Sequence, residues 1–134
     1  MNDAVEQIEI YSEEITEDLK IDELDLRDKQ MELPALRHKW VGRLIRGKHS
    51  KVKLEKLRKE TIAENVSSAK IAPIDLSDRA LYEKAKHHSS VRVIDEELRQ
   101  TELLIDYLER VERIFMNMGF DIKNLLEIIK LETT

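Results

Sequence analysis

The chain has 134 residues, 41% of them apolar and 38% charged, which suits a single folded domain and is too apolar for a wholly disordered one. It contains no cysteine, which excludes disulfides, thiol catalysis and zinc–thiolate sites and points to a reducing compartment. No apolar run approaches the roughly 20 residues of a membrane span, and the acidic start MNDAVEQIEIYSEE is unlike a signal or transit peptide. A soluble, cytoplasmic protein is expected.

In chain order, Ser12-Glu13-Glu14 reads as an N-cap followed by first-turn acids, with Ile15 and Leu19 as an i,i+4 apolar pair. The first helix is expected to end near Lys20. Residues 21–33 lack a clear period and read as an extended or turn-rich connection, and Pro34 suits the first position of the next helix. That helix runs to about Val66, interrupted only by Gly42 and Gly47, where a kink or break is open. Residues 67–76 with Pro73 read as a linker, and Ser77 caps a short helix through Lys84. Ser89 or Ser90 caps a long helix from about Val91, Gly119 fits a left-handed C-cap, and a last helix covers Asp121 to Leu131. There is no strand signal and no internal repeat.

The expected fold is all-α, with a long basic helix and an apolar C-terminal helix. Its organisation is an acidic N-terminal segment with a short helix (1–30), a basic helix (31–66), a linker with a short helix (67–89) and C-terminal oligomerisation helices (90–134).

Charge is segregated along this order. Residues 1–28 carry eleven acids and two bases, residues 29–59 eleven bases and two acids, and residues 60–134 fifteen acids and ten bases. The overall net charge of −5 thus conceals a local +9. A solvated helix face, or pairing with the acidic block within or between chains, would account for it; so would a polyanionic partner, and a block this lopsided favours nucleic acid. Lys39, Arg43, Arg46, Ser50 and Lys53 share one helical face, and Lys48, Lys51, Lys56, Arg58 and Lys59 widen it. Trp40 lies among these cations as a candidate stacking ring for single-stranded DNA, or as a core anchor facing Leu36 and Leu44.

Leu104, Leu108, Val111, Phe115, Met118, Ile122, Leu125 and Ile129 alternate in steps of four and three, a coiled-coil-like seam. An intramolecular core would use one such face. The C-terminal segment is apolar around more than one face, which predicts contact with further copies of the chain.

No catalytic, metal or cofactor constellation is found. Gly42 to Lys48 matches the phosphate-loop spacing G-x-x-x-x-G-K, but His49 replaces the required Ser or Thr and no strand precedes it. His38, His49, His87 and His88 form no metal-ligand pair, and Glu13, Glu14 and Glu17 lack the apolar surroundings of a catalytic carboxylate. No enzyme is expected.

Two stretches carry a family resemblance. Leu33-Pro34-Ala35-Leu36-Arg37-His38-Lys39-Trp40 resembles the P-x-L-H-x-K-[Y/W] signature of the UvsY family of phage recombination mediators. Gly119-Phe120-Asp121-Ile122-Lys123-Asn124-Leu125-Leu126-Glu127 resembles that family's [R/G]-F-x-I-K-N-x-I-E stretch. Arg37 stands where the family often has histidine, and residues 60–76 lack its usual basic, tyrosine-rich continuation. The resemblance implies a non-enzymatic, ring-like homo-oligomer that binds single-stranded DNA. It helps a recombinase displace single-strand-binding protein and assemble its filament, in the host cytoplasm if phage-encoded. Lys39, Arg43, Arg46, Lys48, Lys51 and Lys53 would then hold phosphates, and the C-terminal helices would hold the ring. Segment 1–28, by its charge, would contact a partner protein or compete with DNA. The rival is a scaffolding helical oligomer with no nucleic-acid role.

Overall fold

The computed structural model describes residues 3–70 and 77–133. Helix α1 covers Ala4–Asp18, α2 Leu26–Lys70, α3 Asp78–Lys86 and α4 Ser89–Glu132, with one 3-10 turn at Glu23–Asp25. No strand occurs among the described residues.

Helix α1 starts well before Ser12. Asp3 caps it, accepting from the Val5 amide at 2.8 Å. The stripe Ala4, Ile8, Tyr11, Ile15, Leu19 keeps one face against the core, with Ala4 and Ile15 buried. Ser12 is therefore a mid-helix residue.

Residues 26–33 are helical rather than extended. Leu26, Leu33 and Trp40 recur every seven residues and are 3%, 8% and 1% exposed, with Leu44 at 4%. Burial on one face outweighs the weak local signal. Pro34 consequently sits inside α2. It is exposed, so the hydrogen bond it removes lies on the solvent side. Gly42 and Gly47 do not interrupt α2.

Helix α4 likewise passes through Gly119, and no glycine has positive φ among the described residues. Met118 and Ile122, one turn apart, are 4% and 0% exposed, and only a continuous helix keeps both on the core face. The linker's first part, 67–70, belongs to α2, and the rest of it, 71–76, lies outside the described residues. Ser77 caps α3, accepting from the Ala80 amide at 3.2 Å. At the start of α4 the cap is His88: its ring Nδ1 accepts from the Ser90 amide at 3.1 Å and its carbonyl from Val91 and Arg92.

The chain forms two compact units, residues 1–46 with 104–134, and residues 47–103. In the first, α1, the start of α2 and the end of α4 enclose Trp40, Phe115, Leu108, Val111 and Ile122, each no more than 1% exposed. In the second, Ile62 of α2 and Ala85 of α3 pack with Val91 of α4. Asn65 fastens them, its side-chain amide donating to the Ala85 carbonyl at 3.3 Å and to Ser90 Oγ at 3.2 Å.

A methyl group at Gly119 would rest on Leu33 Cδ2 at 3.4 Å, an ordinary contact. Gly119→Ala should therefore stabilise the chain by about 0.5–1 kcal/mol in urea unfolding through helix propensity. A loss of similar size would mean that the helix ends there.

Candidate nucleic-acid interface

The cations of α2 fall into groups with different surroundings. Lys39 and Arg43 face α1. Lys39 Nζ lies 2.6 Å from Asp18 Oδ2 and 3.3 Å from Glu14 Oε1. The Arg43 guanidinium forks onto both Glu14 oxygens, the planar geometry that strengthens arginine–carboxylate pairs. It also lies over the rings of Trp40 and Tyr11, at 4.6 and 4.7 Å from their centroids.

Trp40 is 1% exposed. Tyr11 meets it edge-on at 5.3 Å, Phe115 lies at 6.4 Å, and its indole Nε1–H donates to Asp18 Oδ2 at 2.9 Å. Of the two roles open to Trp40, the structure uses the core anchor; no ring face is left for a base. Pairing of the basic block with the acidic one, open from charge alone, is realised here for Lys39 and Arg43; the particular partners, Glu14 and Asp18, lie more than twenty residues upstream.

The Arg43 hydrogen bond holds the Glu14 carboxyl below its ordinary value of 4.5, against the opposing effect of burial, with Lys39 adding to the lowering. The same contact pushes the Arg43 guanidinium further into its charged range. Burial pushes the Tyr107 phenol up, opposed by its hydrogen bond to Ser12.

A second group turns toward α4 within the 47–103 unit. Arg58 Nε donates to Asp95 Oδ1 at 2.6 Å, and Lys51 lies 3.6 Å from Glu102. A third group, Lys48, Lys53, Lys56 and Lys59, is exposed. At 100° per residue these four fall within roughly 140° of the helix circumference, away from Lys51 and Arg58. Lys56 reaches Glu60 only at 4.0 Å, with both side chains largely in water. His49 and Val52 are exposed beside them. Arg46 is exposed too, its guanidinium lying back toward Gly42.

The phosphate-loop match at 42–48 lies wholly inside α2 and forms no loop. All four histidines are exposed, and no group of side chains able to hold a metal ion occurs among the described residues. No helix among them is long and apolar enough to cross a membrane.

Leu108, Val111, Phe115, Met118 and Ile122 are at most 4% exposed and lie in the chain's own core, which Leu104 and Ile129 flank; Leu125 is 40% exposed. The five buried seam residues close the protomer rather than face a second copy. The most exposed apolar residues toward the end of α4 lie off the seam: Phe120 at 63%, Ile128 at 51% and Leu131 at 75%.

An all-helical scaffold with a lysine row on one long helix has the make-up of a polyanion-binding protein. The chain belongs to the UvsY family, described as recombination, repair and single-stranded-DNA-binding proteins, whose model matches residues 14–134; it is a family of DNA-binding proteins and not of enzymes. The fold is similar to crystal structures of the bacteriophage T4 recombination mediator protein UvsY. One, in lattice type IV, has a TM-score of 0.78 and 18% identity, covering 92% of this chain and 97% of that one. Another, in lattice type II, has a TM-score of 0.77 and 17% identity, covering 94% and 97%. No curated protein sequence matches the chain significantly. Both motif stretches, 33–40 and 119–127, fall inside the matched region.

Two outcomes follow from the α1–α2 cluster. Asp18→Ala leaves the Trp40 N–H and Lys39 without their shared acceptor, and should cost about 2–3 kcal/mol in urea unfolding. Because the folded pKa of Glu14 lies below its unfolded value, its pairing contributes in full above roughly pH 5 and is lost as pH falls through the folded pKa. Glu14→Gln should therefore lower stability at neutral pH and flatten its decline in acid, read by denaturation at a series of pH values.

Proposed function

We propose that this chain binds single-stranded DNA along the residue 48–59 face of α2 and acts as a recombination mediator. The observation that carries this reading is the row Lys48, Lys53, Lys56 and Lys59, exposed on one side of a helix in a member of a DNA-binding family. Phosphates would sit on this row. Lys51 and Arg58 flank it and would add to the path by exchanging Glu102 and Asp95 for phosphate oxygens. Lys39 and Arg43 would reach DNA only by giving up Glu14 and Asp18.

The mediator role supposes a ring-like homo-oligomer that presents several lysine rows to one strand. Each row alone is weak, and linked rows gain by effective concentration. Phe120, Ile128 and Leu131 on the outer face of α4 supply apolar surface for that assembly. DNA held this way would be handed from single-strand-binding protein to a recombinase in the host cytoplasm.

Four neutralised phosphates per protomer predict that log K falls with log salt at a slope near −3 on single strands. Lys53→Ala with Lys56→Ala should reduce the slope by about 1.4 without unfolding the chain. Binding that ignores salt would favour the scaffolding alternative. Phe120→Asp with Ile128→Asp should reduce the mass measured by light scattering to that of a smaller species with helicity intact. An unchanged mass would remove this face from the interface.

A further inference from the structure

Single-strand binders combine cations with an exposed aromatic face on which a base can stack. Trp40 is closed to that role, Tyr11 lies under Arg43, and Phe115 is in the core. Phe120 is exposed, but it belongs to the apolar outer face of α4, with Met116 one turn before it and Asp121 beside it.

Tyr82 is different. It is 46% exposed on α3, in the same compact unit as the lysine row. Arg79 three residues before it and Lys86 four residues after it share its face, together with the exposed Asp78 four residues before it. The orientation of α3 is fixed: Leu81 and Ala85, on the adjoining face, are each 4% exposed, Ser77 caps its start, and Asn65 of α2 holds the Ala85 carbonyl. The ring is thereby held outward on a short helix whose last turn is basic.

Resting on the DNA-binding reading above, we infer that Tyr82 is a base-stacking residue and that α3, with Arg79 and Lys86, forms a second element of the DNA surface in the same compact unit as the α2 lysines. The lysines contact backbone phosphates and the tyrosine contacts a nucleobase. This predicts a chain that distinguishes a strand with bases from a bare phosphodiester strand.

The test uses the full chain with oligothymidylate and with an abasic strand of the same length, titrated by fluorescence anisotropy at fixed salt. Tyr82→Ala should weaken oligothymidylate binding roughly 5- to 150-fold while leaving abasic binding and the salt slope unchanged. Tyr82→Phe should bind as the parent chain does, since the ring and not the hydroxyl carries the contact. Unchanged oligothymidylate affinity in Tyr82→Ala overturns the inference and leaves the lysine-row reading standing. Equal losses on both strands, or a loss in Tyr82→Phe matching that of Tyr82→Ala, overturn it as well. Failure of the parent chain to bind either strand overturns both readings.

Discussion

The indole of Trp40 and the carboxylate beneath it organise the first compact unit. The ring fills the space between Tyr11 and Phe115, while its N–H must find an acceptor because water cannot reach it. Asp18 is that acceptor, and the same oxygen holds Lys39. One carboxylate thereby fixes α1 on α2, and Glu14, one turn earlier, completes the contact through Arg43. Removing Asp18 strands the Trp40 N–H in a site with little access to solvent, whereas Arg43, paired with Glu14, is partly solvated.

This arrangement sorts the charges of the long helix. Eleven bases between residues 29 and 59 would repel one another if all faced the same way. Carboxylates of α1 take Lys39 and Arg43, those of α4 take Lys51 and Arg58, and the row from Lys48 to Lys59 is left at the surface. The acidic segment thus has a structural task, and it limits how much of the basic helix offers itself to phosphate. Within the 47–103 unit, the helix that carries this row is also the one that seats α3 through Ile62 and Asn65.

Much of this was legible in the sequence, for identifiable reasons. The helical class, the Ser77 cap and the basic character of α2 follow from local chemistry. Both motif stretches lie where the family model matches. What was not legible was tertiary. The stripe from Ala4 to Leu19 is diluted by acids, so α1 seemed to begin only at Ser12. The seven-residue spacing of Leu26, Leu33 and Trp40 was hidden by Pro34, which reads locally as a start signal and is tolerated here on an exposed face. Gly119 reads as a stop until Met118 and Ile122 are seen on one buried face. The seam from Leu108 to Ile122 has a period that fits an internal core and an interface equally well, and only burial separates the two. For the same reason Trp40 is legible as one of two things, and Tyr82 carries no compact local signal because its cations are spread over a helical turn on each side.

Lys39 is held against α1 by Glu14 and Asp18, the row from Lys48 to Lys59 lies exposed, and DNA is proposed to take that exposed row. Acetylation of individual lysines, followed by mass spectrometry with and without a single-stranded oligonucleotide, tests it most directly. The account predicts that Lys39 reacts slowly in both conditions, while Lys48, Lys53, Lys56 and Lys59 react quickly and are protected by DNA. A Lys39 as reactive as Lys53 and equally protected by DNA would contradict it.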